Sequence, residues 1–401
     1  MYDRVPLHNG FPSFSREAVA RRQAELRSSM DKAGLQCAIL YGSGRPNSDL
    51  AYLTNWPGGR EAYVIVPLEG EAAMLMQLFN HEPVAQMISY LPETRWAGPD
   101  SIASLAGWLR EHKLAQASIG LIGSLPFSQH DKLKAFLPEA TFSDFTRQFR
   151  QQRVVYDEEE ITFFKIAAEL TDRSIESLEH GIRPGMKEYD LPLLIETAYL
   201  EQGGYAGIHF LASTSMANPD ICVPHQYLRD RTIQQGDVII SEISGAFWCY
   251  SGQIHRSFFL GDPTPDWQRL HQAAVDCYEA IESVLKDGAT VEQVVAAADV
   301  LDERGYVALD DLLHGANQYP PILQTRQADR GYPREFTFRE NMVVTIQPQP
   351  RTQDKRMGLQ FGETVRITKT GVERLHHYPR KMVVINQEGP ARTASAPRRW
   401  N

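Results

Sequence analysis

Residues 225–259, HQYLRDRTIQQGDVIISEISGAFWCYSGQIHRSFF, decide how this chain folds. They carry two strand patterns joined by a short turn, an apolar run at 237–243 and a longer aromatic and polar run at 247–259. Side chains on a strand alternate between faces. Phe247, Cys249, Ser251, Gln253 and His255 are therefore expected on one face, with Trp248, Tyr250, Ile254 and Arg256 on the other. A strand with apolar neighbours carries Gln253 and His255 inward only where hydrogen bonds or a binding site offset their desolvation. Glu242, inside the first run, poses the same question. His225 lies upstream on a loop between Pro224 and Gln226, and an ordinary imidazole suits proton transfer near neutral pH.

Outward from this stretch, the N-terminal part alternates helix and strand. The pattern predicts a helix over 14–34, strands at 37–41, 61–67 and 118–123, and helices at 84–90 and 102–112. A compact α/β domain over 1–155 follows. From residue 157 the pattern changes to a strong helix with an acidic first turn. Helices at 188–201, 265–286 and 291–304 are then set among strands near 207–213, 341–350 and 357–375. An α+β domain over 156–386 is expected, with an unstructured tail at 387–401.

The 401 residues are 42% hydrophobic and 23% charged, the balance of a soluble globular protein with room for more than one domain. The net charge of −9, with no basic block, excludes nucleic acid as an expected partner. No run reaches membrane-spanning length, so no membrane is expected. Cys37, Cys222, Cys249 and Cys277 are scattered without a CxxC pair, which reads as reduced thiols in a cytoplasmic protein.

Four motifs in order, 223–259, LHGANQYPP at 313–321, NMVVTIQP at 341–348 and GLQFGETVRIT at 358–368, resemble those of the creatinase/prolidase/aminopeptidase P superfamily. The resemblance implies a pita-bread fold for 156–386. It also implies a smaller α/β creatinase-type domain before it, where GLQCAILYG and LAYLTNW fall. A homodimer is implied as well, the small domain of one subunit reaching the active site of the other.

Peptidases of this superfamily hold two divalent metals with two Asp, one His and two Glu. By motif, those positions fall on Glu242, Gln253, His314, Gln347 and Gly362. Two neutral amides cannot balance two dications, so neither metal nor other cofactor is expected. Glu363 sits beside the last position, but alternation turns it away unless a bulge shifts the register. Creatinase works without metal, and His225 precedes Gly236 and Asp237 at the spacing of its catalytic His. Its two guanidinium-binding Glu fall on His255 and Gln347. Arg60 falls near its carboxylate-gripping Arg, and a guanidinium fork suits that role.

The expectation is a metal-independent hydrolase of a C–N bond in a small carboxylate-bearing molecule. His225 and Glu242 are its catalytic pair. Arg60, Gln253, His255, His314, Gln347 and Glu363 bind substrate, although Glu363 reads equally as a structural partner of a nearby Arg. Glu242 is expected to be the only acid in the pocket, with a raised pKa. Such a pocket favours neutral or anionic ligands. Three alternatives stay open: a lyase or isomerase on the same pocket, a non-catalytic peptidase homologue, and a metallopeptidase with unusual ligands.

Overall fold

The computed structural model describes residues 2–316 and 319–386, so the expected tail at 387–401 lies outside the described residues. The chain divides into two units. The first runs to Val154 and takes in Glu158–Thr162; the second takes Val155–Asp157 and continues from Phe163. Among the described residues, no helix is long and apolar enough to cross a membrane.

In the first unit, helix α1 (Arg16–Lys32) begins where Ser15 Oγ accepts from the Ala18 amide, and it buries Ala18, Val19, Leu26 and Met30. Strand β1 (Cys37–Gly42), α2 (Ser48–Thr54), β2 (Ala62–Pro67) and β3 (Ala73–Met76) follow. Then come α3 (Glu82–Ile88), β4 (Glu93–Trp96), α4 (Ser101–Glu111), β5 (Ser118–Ile122), α5 (Phe127–Phe136), β6 (Thr141–Asp144) and α6 (Thr146–Arg153). The strands form one sheet in the order β4-β3-β2-β1-β5-β6. Leu105, Trp108, Leu109 and Leu133 pack from the helices against Ile39, Tyr63 and Ile65 of the sheet.

Helix α7 (Glu158–Gly181) carries Glu158, Glu159 and Glu160 in its first turn, against the positive end of the helix dipole, and belongs to the second unit from Phe163 onward. Helix α8 (Leu191–Leu200) leads to β7 (Tyr205–Ser215), β8 (Asp237–Phe247), β9 (Tyr250–Ser251) and β10 (Ile254–Leu260). Helices α9 (Pro265–Val284), α10 (Val291–Ala297) and α11 (Val300–Glu303) precede β11 (Leu313–Gly315) and β12 (Ile322–Leu323). Strands β13 (Val343–Ile346), β14 (Gly362–Ile367), β15 (Val372–Arg374) and β16 (Val383–Ile385) complete the unit. Its main sheet runs β9-β8-β10-β14-β13-β11-β12, with β7 on β8, β15 on β14 and β16 on β10.

Two local features differ from the sequence pattern. The single helix expected over 291–304 is two, because the chain breaks at Ala298 and Asp299. The strand expected over 247–259 is interrupted: Trp248 takes a positive φ of 55°, so β8 ends in a tight turn before β10 begins. All eleven residues of β8 are buried, as a strand covered on both edges and both faces must be. That burial forces a partner on every polar side chain it carries.

Candidate active site

The register sets one row across this sheet. Phe210 pairs with Glu242, Glu242 with His255, and His255 with Gly362. Cross-strand partners share a face, and so do residues two apart on one strand. Gln253 therefore joins His255, and Gln360 precedes Gly362 on the same side. On the neighbouring strands His314 pairs with Thr345, and Thr345 with Thr364. The next row brings Gln347 alongside Leu312, whose carbonyl accepts from the Gln347 amide at 2.9 Å.

Beside this face lies a cavity of about 220 Å³, lined by Glu242, Gln253, His314, Gln347 and two further acids, Asp310 and Asp311. Gln253 Nε2 donates to Glu242 Oε1 at 2.8 Å. Gln360 Nε2 donates both to Glu242 Oε2 at 3.2 Å and to Asp310 Oδ2 at 3.1 Å, so one amide joins two carboxyls. His255 Nε2 lies 3.7 Å from Glu242 Oε2. His314 Nδ1 donates to the Gly315 carbonyl at 2.9 Å, which leaves Nε2 as the free acceptor of a neutral ring.

The three acids are tuned apart. Burial pushes the Glu242 carboxyl up, but the hydrogen bond and charge of His255, with Gln360 and His314, hold it below its ordinary value. Burial and the charge of Glu242 raise Asp310. Burial and the charge of Asp310 push Asp311 up to about 6. His314 is held below its ordinary value by burial, against the pull of the acids. The expectations of a lone acid and of a raised Glu242 are both corrected. They missed a loop carrying two adjacent aspartates and the donors that gather on Glu242.

His225 is not brought to Glu242. It exchanges both backbone hydrogen bonds with Leu211, at 3.1 and 3.2 Å. Leu211 pairs with Ser241, on the face opposite to Phe210 and Glu242. Its neighbours Pro224 and Gln226 line the cavity while His225 does not. The expected catalytic pair is thus split by strand alternation. Glu363 is also corrected. It pairs with Ile254, facing away from the cavity. There it receives Arg256 Nη2 at 2.7 Å, Arg374 Nε at 2.5 Å and Arg380 Nε at 3.0 Å. Burial raises its carboxyl, and the three guanidinium groups overcome this and hold it at about 2. Arg60 is exposed in the first unit, just before β2.

The side chains at the five implied metal positions do not suit a pair of dications. Glu242 is the one carboxylate among the five positions, too little negative charge for two dications, and both its oxygens accept amide N–H donors. Two positions are amides, and Gly362 has no side chain. A Cβ built there would lie 2.0 Å from the Ile346 carbonyl oxygen and 2.8 Å from the Gln347 Cα. Among the described residues, no group of three or more His, Cys, Asp or Glu gathers as a metal-binding set.

Known proteins give the context for this geometry. The chain is 22% identical over 361 residues to the Xaa-Pro dipeptidase of Pyrococcus horikoshii, covering 88% of this chain and 96% of that protein. It is 23% identical over 411 residues to the ectoine hydrolase of Halomonas elongata, covering 92% and 98%. The crystal structure of an X-Pro aminopeptidase from Thermotoga maritima superposes with a TM-score of 0.78 at 21% identity, over 90% of this chain and 99% of that one. Residues 22–155 match the Creatinase/Prolidase N-terminal domain, and residues 162–369 match Metallopeptidase family M24. The two-domain, α+β pita-bread architecture is therefore that of the relatives, and this chain belongs to metallopeptidase family M24.

Proposed function

We propose that the chain hydrolyses a C–N bond in a small molecule by carboxyl acid–base chemistry, without the two metal ions of its peptidase relatives. The supporting observation is the set of acids tuned apart in one cavity: Glu242 held below its ordinary value and Asp311 raised to about 6. Opposed shifts of this kind divide acid from base. Glu242 takes a proton from water as the water oxygen attacks the substrate carbon. The C–N bond breaks, and Asp311 delivers its proton to the departing nitrogen. Proton exchange with solvent then resets both groups. Gln253, Gln347 and His314 orient the substrate, and His255 and Gln360 hold Glu242.

Arg60 keeps the role of carboxylate partner, supplied by a second copy of the chain in a homodimer. Among the described residues no cysteine is in a disulfide and all four are buried, which suits a reducing cytoplasmic compartment.

Xaa-Pro dipeptides and ectoine, the molecules in the relatives' names, are the first substrates to test. Turnover in ¹⁸O-water by protein purified without chelator, with metal analysis of the same sample, is the experiment. Solvent oxygen in the product, no stoichiometric metal and indifference to chelators are the expected results. Two tightly held ions per chain, with activity lost to a chelator, would overturn the proposal. A product lacking solvent oxygen would point to a lyase or isomerase instead.

A further inference from the structure

The first unit carries a cavity of about 600 Å³, inside the size range of small-molecule sites. It opens where the parallel strands β3 and β4 end, the side of an α/β sheet on which ligands gather. Its walls come from the turns after those strands and from the starts of β2, α4 and α5.

Two of the lining side chains are aromatic. Phe79 is 66% exposed and Trp96 39%, although rings of this size are ordinarily covered. Trp96 is fixed by its indole N–H, which donates to the Gln77 carbonyl at 3.0 Å, and by its backbone N–H, which donates to Glu82 Oε2 at 2.9 Å. Phe79 stands edge-on to it, with ring centroids 6.0 Å apart and planes at 74°. Two rings near a right angle form a corner of electron-rich faces.

A carboxylate lines the same cavity. Glu61 Oε2 receives Gln129 Nε2 at 2.9 Å and lies 3.2 Å from the Tyr63 hydroxyl, and among the described residues no Lys or Arg forms an ion pair with it. Burial and Glu61 itself raise the Tyr63 hydroxyl, so that donor stays uncharged. Lys132, the lining cation, is already neutralised by Asp100 at 2.5 Å. An acid backed by two ring faces suits a cation whose charge is spread over methyl groups, because the rings bury the methyls while attracting the charge.

We infer that this cavity binds a small molecule through a quaternary ammonium head, seated on Phe79 and Trp96 with Glu61 as its counter-charge. The site needs nothing from the chemistry proposed around Glu242, so either reading can fail alone.

Calorimetry on the full chain compares choline with neohexanol, its uncharged carbon analogue, and tetramethylammonium with ammonium. Choline is expected to bind about tenfold more tightly than neohexanol, and tetramethylammonium more tightly than ammonium. Glu61→Gln should bring choline down to the level of neohexanol. Phe79→Ala, which removes an exposed ring and spares the fold, should weaken choline about fivefold and carries the test if the first variant melts early. Choline binding retained by Glu242→Gln protein keeps the two sites apart. Equal binding of choline and neohexanol, tighter binding of ammonium, choline affinity untouched by both first-unit variants, or its loss in Glu242→Gln would each overturn the inference.

Discussion

Two faces of one sheet carry buried acids, and they are treated in opposite ways. On one face Glu363 is held by Arg256, Arg374 and Arg380, with three guanidinium groups to a single carboxylate. On the other, among the described residues, Glu242 meets amides and an imidazole, and Asp310 meets an amide. The two environments begin one residue apart on β14, where Gly362 faces the cavity row and Glu363 faces the arginines. A saturated acid is locked and contributes to the fold. An acid held by neutral donors keeps an adjustable proton, which acid–base chemistry requires.

The sharpest way to break this contrast is to neutralise each acid in turn. Glu242→Gln should lower kcat by about 10²–10⁴-fold, the usual contribution of an acid–base group, with little change in melting temperature. A large loss of stability with unaltered kcat would put Glu242 in the structural class. Glu363→Gln should do the reverse. It leaves Arg256 buried beside a neutral amide, and breaking such a pair costs about 3–5 kcal/mol, read by urea denaturation. Loss of activity at full stability would erase the distinction between the faces.

The pH dependence of stability separates the faces by sign. Asp311 binds its proton more tightly folded than unfolded, so its presence penalises the folded state above about pH 6, and the penalty fades as pH falls below its unfolded value. Asp311→Asn should therefore melt higher than the parent at pH 8 and no higher at pH 3.5. Glu363 has a depressed pKa of about 2, so its stabilisation is present above the unfolded carboxylate value and is lost as pH falls toward 2. The smallest effect concerns His225. His225→Ala should change kcat by less than about threefold, well short of an acid–base contribution. A hundredfold loss would return His225 to the mechanism and discredit the facing derived from its pairing with Leu211.

What the sequence disclosed and what it hid follow one rule. Strand alternation is local, so Gln253 and His255 could be set on one face and Arg256 on the other from their spacing alone, while Glu242 and Gln347, on other strands, were joined to them only by the motif resemblance. Gln360 was within reach of the same logic, two residues before Gly362, but its link to Glu242 and Asp310 crosses strands. Asp310 and Asp311 lie in an aperiodic loop before β11, where spacing carries no facing. Their adjacency to His314 was the one signal available. His225 misled because its loop takes its orientation from a partner fourteen residues upstream, a contact no short pattern encodes.

The crowding at Gly362 has a consequence for redesign. With the Ile346 carbonyl 2.0 Å from where a first side-chain carbon would sit, a carboxylate placed at 362 would force β13 and β14 apart. A further acid for this cavity would have to be grafted at a neighbouring position, where the backbone leaves room for a side chain.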